Sequence, residues 1–418
     1  MKKSNLINRV LAMGAALAAF WFAVPAHAVS MYARQTGLEC NVCHFQHYPL
    51  LNEFGRSFKA SGYTMLGQQQ GEVKGENLSI PASLNVGIVA KLRYQKANGP
   101  KVPGTQTEND GRFDIPDEFN IMLGGRISEN IGFFFEGSTV ESPFLGSFKI
   151  PFVYDLAGIK VGAIPFSTGE LGASFGFELL NTGAVKNQRM VEQGADISAQ
   201  QYITGAYQAR GVAFIAFDPL GFANLTKWSP GHVGDHVSRP SANYLRVAAT
   251  PKFAGWDLAA GVQAWNGSAD VGPGSAVVPN DVKAWAVDAQ AQGAIADMPL
   301  GVYLSHARAA ATGTTGNPNF FNPTPGNSAR TATAISAELG VLPRKATVML
   351  ALRKADTGDP AFNGDNAFTL GGTYQLVQNM QVQLTHAIRH GSAYDAGSPN
   401  MTAGTGDRLT TLVLFGSF

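Results

Sequence analysis

The sequence predicts an all-β transmembrane barrel of about 16 antiparallel strands, preceded by a small α-helical N-terminal segment that plugs the lumen or its mouth. Three observations lead there. From about Ser79 to Phe418 the chain reads as short stretches of alternating apolar and polar residues separated by turn residues, the pattern of strands with one face in lipid and one in a polar lumen. The chain is rich in glycine, with 48, and low in charge, at 15% Asp, Glu, Lys and Arg. Beyond the N-terminal leader no apolar run is long enough for a spanning helix, and short connections alternate with long ones, as they do in outer-membrane barrels.

Residues 1–28 are expected to be a secretory signal peptide. Lys2, Lys3 and Arg9 make a positive start, Val10 to Val24 is a nearly uncharged apolar run, and Ala26-His27-Ala28 is a small-x-small cleavage pattern. The run is short for a spanning helix, which favours removal over anchoring. Cleavage would take away three of the 31 basic residues, leaving 28 against 30 acidic ones and a net charge of −2 in place of +1. That near-neutral balance argues against a nucleic-acid partner. Leader and barrel together point to the outer membrane of a Gram-negative envelope, with both termini in the periplasm.

The next element, residues 29–75, holds the chain's only two cysteines, in Cys40-Asn41-Val42-Cys43-His44. Two thiols three apart, followed at once by histidine, form the attachment signature of a c-type haem. The sulfurs add to the two vinyl groups of one porphyrin, and the adjacent imidazole is placed under the iron as proximal ligand. A short-loop disulfide has no use for His44, and no other cysteine is present to complete a zinc cluster. One covalent haem c is therefore expected, on Cys40, Cys43 and His44. After it, Leu51, Phe54 and Phe58 share a helical stripe and Gly62 stands where a helix stops. So short a segment cannot wrap a haem and bury a core of its own. It needs cover from the barrel, whose lumen at this strand number is wide enough for a small plug.

The barrel is expected over residues 76–418, with strands near 83–94, 118–126, 131–138, 147–154, 159–165, 200–208, 210–217, 244–250, 256–265, 282–292, 299–306, 332–339, 346–354, 367–374, 380–388 and 408–418. In the first, Val86, Ile88, Ala90, Leu92 and Tyr94 oppose Asn85, Gly87, Lys91 and Arg93; later, Val348, Leu350 and Leu352 oppose Thr347 and Arg353. The alternation puts His386 on an apolar face. Expected short turns include Ser128-Glu129-Asn130 and Pro343-Arg344-Lys345; expected long loops include 95–117, 166–199, 218–243, 266–281, 307–331 and 389–407. The terminal Phe418, with Leu412 and Leu414 before it, is like the closing strand of outer-membrane proteins.

The N-terminal residues also carry a resemblance. Ala33-Arg34-Gln35-Thr36-Gly37, Cys40 to His44, Asn52-Glu53-Phe54-Gly55-Arg56-Ser57-Phe58-Lys59 and Gly62-Tyr63-Thr64 resemble the fused monohaem cytochrome–porins of the bacterial outer membrane, of which the iron oxidases are the best-known members. Motif identity is confined to about residues 32–65, and the barrel matches in kind. The resemblance implies a signal peptide, a small cytochrome and a barrel. It also implies oxidation of extracellular Fe(II), with the electron passed through the haem to a periplasmic c-type cytochrome or another carrier. The family includes members with no established donor.

Two site questions stay open at the level of sequence. For the distal haem position, Met65 lies far enough from His44 to return over the opposite face, and a His/Met pair raises the potential, which suits an acceptor for iron electrons. His47 is three residues from His44, on the same side of the ring; His232, His236, His306 and His386 are the alternatives from the barrel, and water another. For a donor site, Glu108, Asp110, Asp114, Asp117 and Glu118 offer carboxylates suited to ferrous iron, against the plainer reading of a solvated charged loop. His232-Val233-Gly234-Asp235-His236 offers imidazole and carboxylate. No phosphate loop or nucleophile–base pair stands out. Three functions are compatible with these residues: a conduit oxidising extracellular Fe(II), a conduit for another donor or acceptor, and a porin with a structural or sensing haem plug.

Overall fold

The computed structural model describes residues 31–418 apart from 68–70, 77, 83, 105–106, 141, 184–197, 205–206, 233–239, 272–277 and 314–315. The expected signal peptide lies outside the described residues. The described chain opens with three short helices, α1 (Met31–Thr36), α2 (Cys40–Cys43) and α3 (Glu53–Ala60). A small hairpin, β1 (Glu72–Lys74) with β2 (Ser79–Pro81), follows, and the domain boundary expected at 75/76 falls in its turn.

The wall is built by β3 (Val86–Ala97), β4 (Arg112–Ser128), β5 (Ile131–Ser138), β6 (Leu145–Lys149), β7 (Phe152–Leu156), β8 (Ile159–Thr168), β9 (Ala209–Asp218), β10 (Gly221–Pro230), β11 (Ala242–Ala249), β12 (Lys252–Phe253), β13 (Trp256–Val271), β14 (Val278–Ile295), β15 (Met298–Ala309), β16 (Arg330–Leu342), β17 (Ala346–Asp356), β18 (Asn366–Val377), β19 (Met380–His390) and β20 (Arg408–Ser417). β6 and β7 are two halves of one strand, interrupted at Ile150-Pro151, and β12 continues β11 past Thr250-Pro251. Proline cannot donate to the ladder, so each break falls where a proline interrupts it. The wall therefore counts 16 strands, all antiparallel, and it closes where β20 pairs with β3 from Leu409↔Ala97 to Ser417↔Val89. Closure leaves no edge, and every wall hydrogen bond is made between neighbours, which is what lipid requires.

The two-residue period sorts the faces as expected. On β17, Val348, Leu350 and Leu352 point outward while Thr347, Met349, Ala351 and Arg353 are buried inside. On β19, His386 shares the outer face with Leu384 and Ile388, opposite Gln381, Gln383 and Thr385. An apolar exterior around a polar interior marks a porin-like, outer-membrane type of barrel. The connections are short at one end (129–130, 157–158, 219–220, 254–255, 296–297, 343–345 and 378–379) and long at the other. Val86 and Ser417 both lie at the short-turn end, where the Phe418 amide donates to the Ile88 carbonyl at 2.9 Å.

Two expected elements are corrected. Residues 200–208 do not form a strand: Ala199–Thr204 is a helix, α4, docked inside the barrel, with the Ala199 amide donating to Ser305 Oγ at 2.8 Å. Conversely, 218–243 is not one long loop but contains β10, joined to β9 by a tight turn at 219–220. Its lumen face carries Phe222 and Trp228 beside Asn224 and Thr226, so an apolar-out, polar-in pattern does not reveal it.

Much of the lumen is filled. The connection after β8 turns inward, and every residue from Leu171 to Gly183 is buried. Toward the long-loop end, Phe166, Phe175, Tyr202, Trp228, Tyr244, Trp265 and Phe321 pack in one apolar cluster. Arg246 on β11 locks the inward loop in place. Its guanidinium holds Asp288 on β14 in a bidentate pair at 2.6 and 2.9 Å, lies in ion-pair contact with Glu178 of the loop at 3.1 Å, and donates from Nη2 to the same carboxylate at 3.4 Å. All three residues are buried.

Candidate haem site at the short-turn mouth

The sequence around the two cysteines folds into a socket for one histidine. Cys40–Cys43 make a single helical turn that ends with the His44 amide donating to the Cys40 carbonyl at 2.9 Å. The chain then loops back. The Leu50 carbonyl, fully buried, accepts from the Phe45 amide at 2.9 Å and from His44 Nδ1 at 3.1 Å. A carbonyl only accepts, so Nδ1 carries the proton and Nε2 keeps its lone pair, the form a metal-ligating imidazole needs. Burial pushes the His44 pKa down to about 4, opposed in part by the bond to Leu50, so the ring is neutral at physiological pH. Burial, with Cys40 alongside, pushes the Cys43 thiol up to about 11.

α3 follows directly. Asn52 caps it by accepting from the Gly55 amide at 2.9 Å and donates to the Val42 carbonyl at 2.9 Å. Gly55 faces the cysteine turn so closely that a Cβ there would sit 2.1 Å from the Cys43 carbonyl oxygen. The remaining residues of the resemblance seat the segment in the barrel. Gln35, buried on α1, donates to the carbonyls of Tyr63 and Met65 at 2.6 and 2.7 Å and accepts from Asn85 Nδ2 at 2.9 Å. Arg56 pairs with Asp257 on β13 at 2.8 Å. Gly62 has φ +76° and packs on Pro151, and Tyr63 stacks on Tyr32 with ring centres 4.9 Å apart. Gln46 donates to the Pro299 carbonyl at 2.7 Å. The helices thus lie inside the barrel at its short-turn end.

A cavity of about 500 Å³ opens between this plug and the wall, within the range of roughly 300–1,000 Å³ typical of cofactor pockets. Cys40, Cys43 and His44 line it together with Met31, Tyr32, Phe58, Lys59 and Tyr63 of the plug and Met122, Phe134, Lys149 and Phe175 of the barrel and its inward loop. Arg344, Lys345, Gln378 and Asn379 stand at its mouth, in the short turns. Two thiols, one imidazole whose Nε2 carries the lone pair, and an apolar aromatic wall are the donor set and surroundings that a covalently attached haem requires, so the residues present fit the group.

No family model matches the chain, and no curated relative matches it. Solved structures of similar fold include a Rh. blastica porin mutant, 14% identical with a TM-score of 0.47 over 80% of this chain and 100% of that one. Another is a loop-deletion mutant of OmpT, an outer membrane protein of Vibrio cholerae, at 11% and 0.47 over 80% and 99%. A third is Salmonella typhi OmpF in complex with daunomycin, at 9% and 0.45 over 83% and 100%. The closed wall is evident from this chain's own strand register.

The expected site residues separate into those at the cavity and those elsewhere. Met65 is 38% exposed and does not line the cavity; the thioethers that do are Met31 and Met122, both buried. His47 has both ring nitrogens committed. Nδ1–H donates to the Tyr48 carbonyl at 2.7 Å and Nε2–H to Glu338 on β16 at 2.8 Å. Burial alone would lower its pKa, but the charge and hydrogen bond of Glu338 outweigh it and the pKa is raised. His232 is buried at the long-loop end, bonded to Ser167 and to the Leu145 carbonyl. His306 bonds Thr333 at 2.8 Å beside the outward-facing Trp285, and His386 bonds Thr410 at 2.9 Å on the outer face. His236 lies outside the described residues.

The acidic residues of the first long loop and of the start of β4 are each matched by a cation. Arg112 pairs with Glu108 at 3.3 Å and Asp114 at 2.9 Å, Lys101 with Asp110 at 3.0 Å, Arg93 with Asp117, and Lys91 with Glu118. Among the described residues no group of three His, Cys, Asp or Glu side chains is placed to hold a metal ion. What the sequence does not reveal is the barrel's share of the cavity. Met122, Phe134, Lys149 and Phe175 sit in strands and a loop far along the chain, with no local signal.

Proposed function

We propose that the chain is an outer-membrane electron-transfer protein that takes electrons from extracellular Fe(II) and passes them through one c-type haem to a periplasmic c-type cytochrome or other carrier. The supporting observation is the socket itself. A Cys-x-x-Cys-His turn is seated in the mouth of a closed barrel, with His44 Nδ1 bound to the Leu50 carbonyl, which leaves the Nε2 lone pair for a metal. When bound, the haem supplies a one-electron relay. Cys40 and Cys43 would hold it, His44 would be its proximal ligand, and the aromatic wall would exclude water. Short turns face the periplasm in outer-membrane barrels; by that rule both termini and the cavity mouth would lie on that side, where haem is attached. The distal position has three thioether claimants: Met65, which would have to fold inward, and Met31 and Met122, which already face the cavity. Fe(II) as donor rests on the resemblance in residues 32–65. The loop carboxylates, each matched by a cation, suit passing contact with iron better than a fixed cage.

A second reading has an observation of its own. The cavity opens at the short-turn end, so an extracellular donor is separated from His44 by an apolar band about 25 Å tall, whereas a carrier on the near side meets it directly. In that reading the conduit serves another donor or acceptor. A mixing experiment separates the two. Detergent-purified, oxidised protein is mixed anaerobically with ferrous iron, and the haem absorption bands are followed. Prompt stoichiometric reduction, lost in His44→Ala, supports the iron conduit. Reduction by a small organic donor but not by iron supports the second reading. Reduction by neither leaves a porin with a structural haem.

A further inference from the structure

The cavity holds two lysines that the socket does not explain. Lys149, on β6, is only 4% exposed. Its ammonium donates to the Phe175 carbonyl at 2.9 Å and lies 4.5 Å from the Phe175 ring centre and 5.7 Å from that of Tyr63. An ammonium has three donors, and among the described residues this one bond is all that Lys149 makes. Lys59, on α3, lines the same cavity from the plug side. Among the described residues it forms no ion pair, and the carboxylate whose charge it feels, Glu178, is already engaged by Arg246. A buried cation without a counter-ion is costly, and here a buried lysine and a half-buried one converge on one apolar cavity from two separate parts of the fold.

Resting on the haem reading above, we propose that Lys59 and Lys149 form the seat of the haem's two propionate carboxylates, at the inner end of the cavity. The chemistry matches in number and sign: two anions for two cations, with the thioether sulfurs and the proximal imidazole supplied by Cys40, Cys43 and His44. The other cations at the cavity, Arg344 and Lys345, are exposed in the turn at its mouth. Lys345 is already occupied by the Leu376 carbonyl and the Tyr374 ring, and an exposed cation needs no anion to satisfy it. Lys149 is buried and Lys59 half-buried, so their lower exposure selects the inner pair. Because Lys59 belongs to the plug and Lys149 to the wall, a propionate on each also ties the two together.

The test is the midpoint potential of the full-length holoprotein in detergent, by spectroelectrochemical titration, with covalent haem quantified in each sample. A cation beside the haem favours the reduced form, so Lys59→Gln and Lys149→Gln are each expected to lower the potential, and the double variant to lower it most. Lys59→Arg and Lys149→Arg should restore most of it, and the remote Lys283→Gln should leave it unchanged. Should Lys149→Gln fail to assemble, Lys59→Gln and Lys149→Arg carry the comparison. An unchanged potential in the double variant with full covalent haem overturns the seat, as does a shift found only in Arg344→Gln or Lys345→Gln. Absence of covalent haem from the unaltered protein overturns the underlying reading instead.

Discussion

At the scale of single residues, the site depends on contacts that tolerate no added atom. Gly55 is the clearest case, since a methyl group there would lie 2.1 Å from the Cys43 carbonyl oxygen and α3 would have to move off the cysteine turn. Gly55→Ala is expected to destabilise the plug by about 1–3 kcal/mol, the usual range for overpacking, and to lower the haem bound per barrel, measured by pyridine-haem absorbance. The distal ligand is also a question for single residues. Met31→Ala, Met122→Ala and Met65→Ala should be compared by the sulfur-to-iron charge-transfer band of the oxidised protein. Loss of the band in one variant alone identifies the ligand; its absence from the unaltered protein excludes all three. Legibility at this scale was uneven. Cys40, Cys43 and His44 are contiguous, so their joint chemistry can be read from spacing. The roles of Gln35, Arg56 and Tyr63 cannot, because their partners Asn85, Asp257 and Tyr32 are set by the fold.

At the scale of elements, two buried electrostatic contacts fasten what fills the lumen. The first joins the plug to β16 through His47 and Glu338. Because the pKa of His47 is raised in the folded protein, this contribution is fully present below the unfolded value of about 6.5 and is lost as pH rises through the folded value. Thermal unfolding in detergent should show falling stability on going from about pH 6 into the alkaline range, and His47→Gln should flatten that dependence. A variant with the same slope as the parent would show that another group is responsible. The second contact is the Glu178–Arg246–Asp288 lock. Arg246→Gln leaves two buried carboxylates without their cation, a loss of about 3–5 kcal/mol by analogy with other broken buried pairs. The expected readout is release of the inward loop and a rise in single-channel conductance over the parent. Gln200-Gln201-Tyr202-Ile203-Thr204 has the side chains of a strand, but inside the lumen it meets no free strand edge and coils into α4. β10 was hidden because its Phe222 and Trp228 face a lumen lined with protein.

At the scale of the whole molecule, the barrel serves as a container. Its interior is occupied by the plug at the short-turn end, by the inward loop in the middle and by an aromatic cluster toward the long loops. Planar-bilayer recording of the unaltered protein is expected to give a conductance well below that of open 16-stranded porins. A large, steady conductance would mean that solutes pass beside the plug, and would favour a porin function. The same filling bears on electron transfer, because a donor at the outer loops faces a packed interior and not a water column.

Most of the wall and the attachment motif can be read from local residue patterns. Alternation over the wall strands other than β10 and a five-residue cysteine–histidine run are local patterns, fixed by the two-residue period of a strand and by the reach of adjacent side chains. The tertiary structure alone shows which residues complete the cavity, how His47 and the carboxylates of the first loop and β4 are engaged, and that Lys59 and Lys149 line one cavity. Those facts arise from chain segments separated by tens to hundreds of residues, brought together when the barrel closes between β3 and β20 around a plug too small to bury its own core.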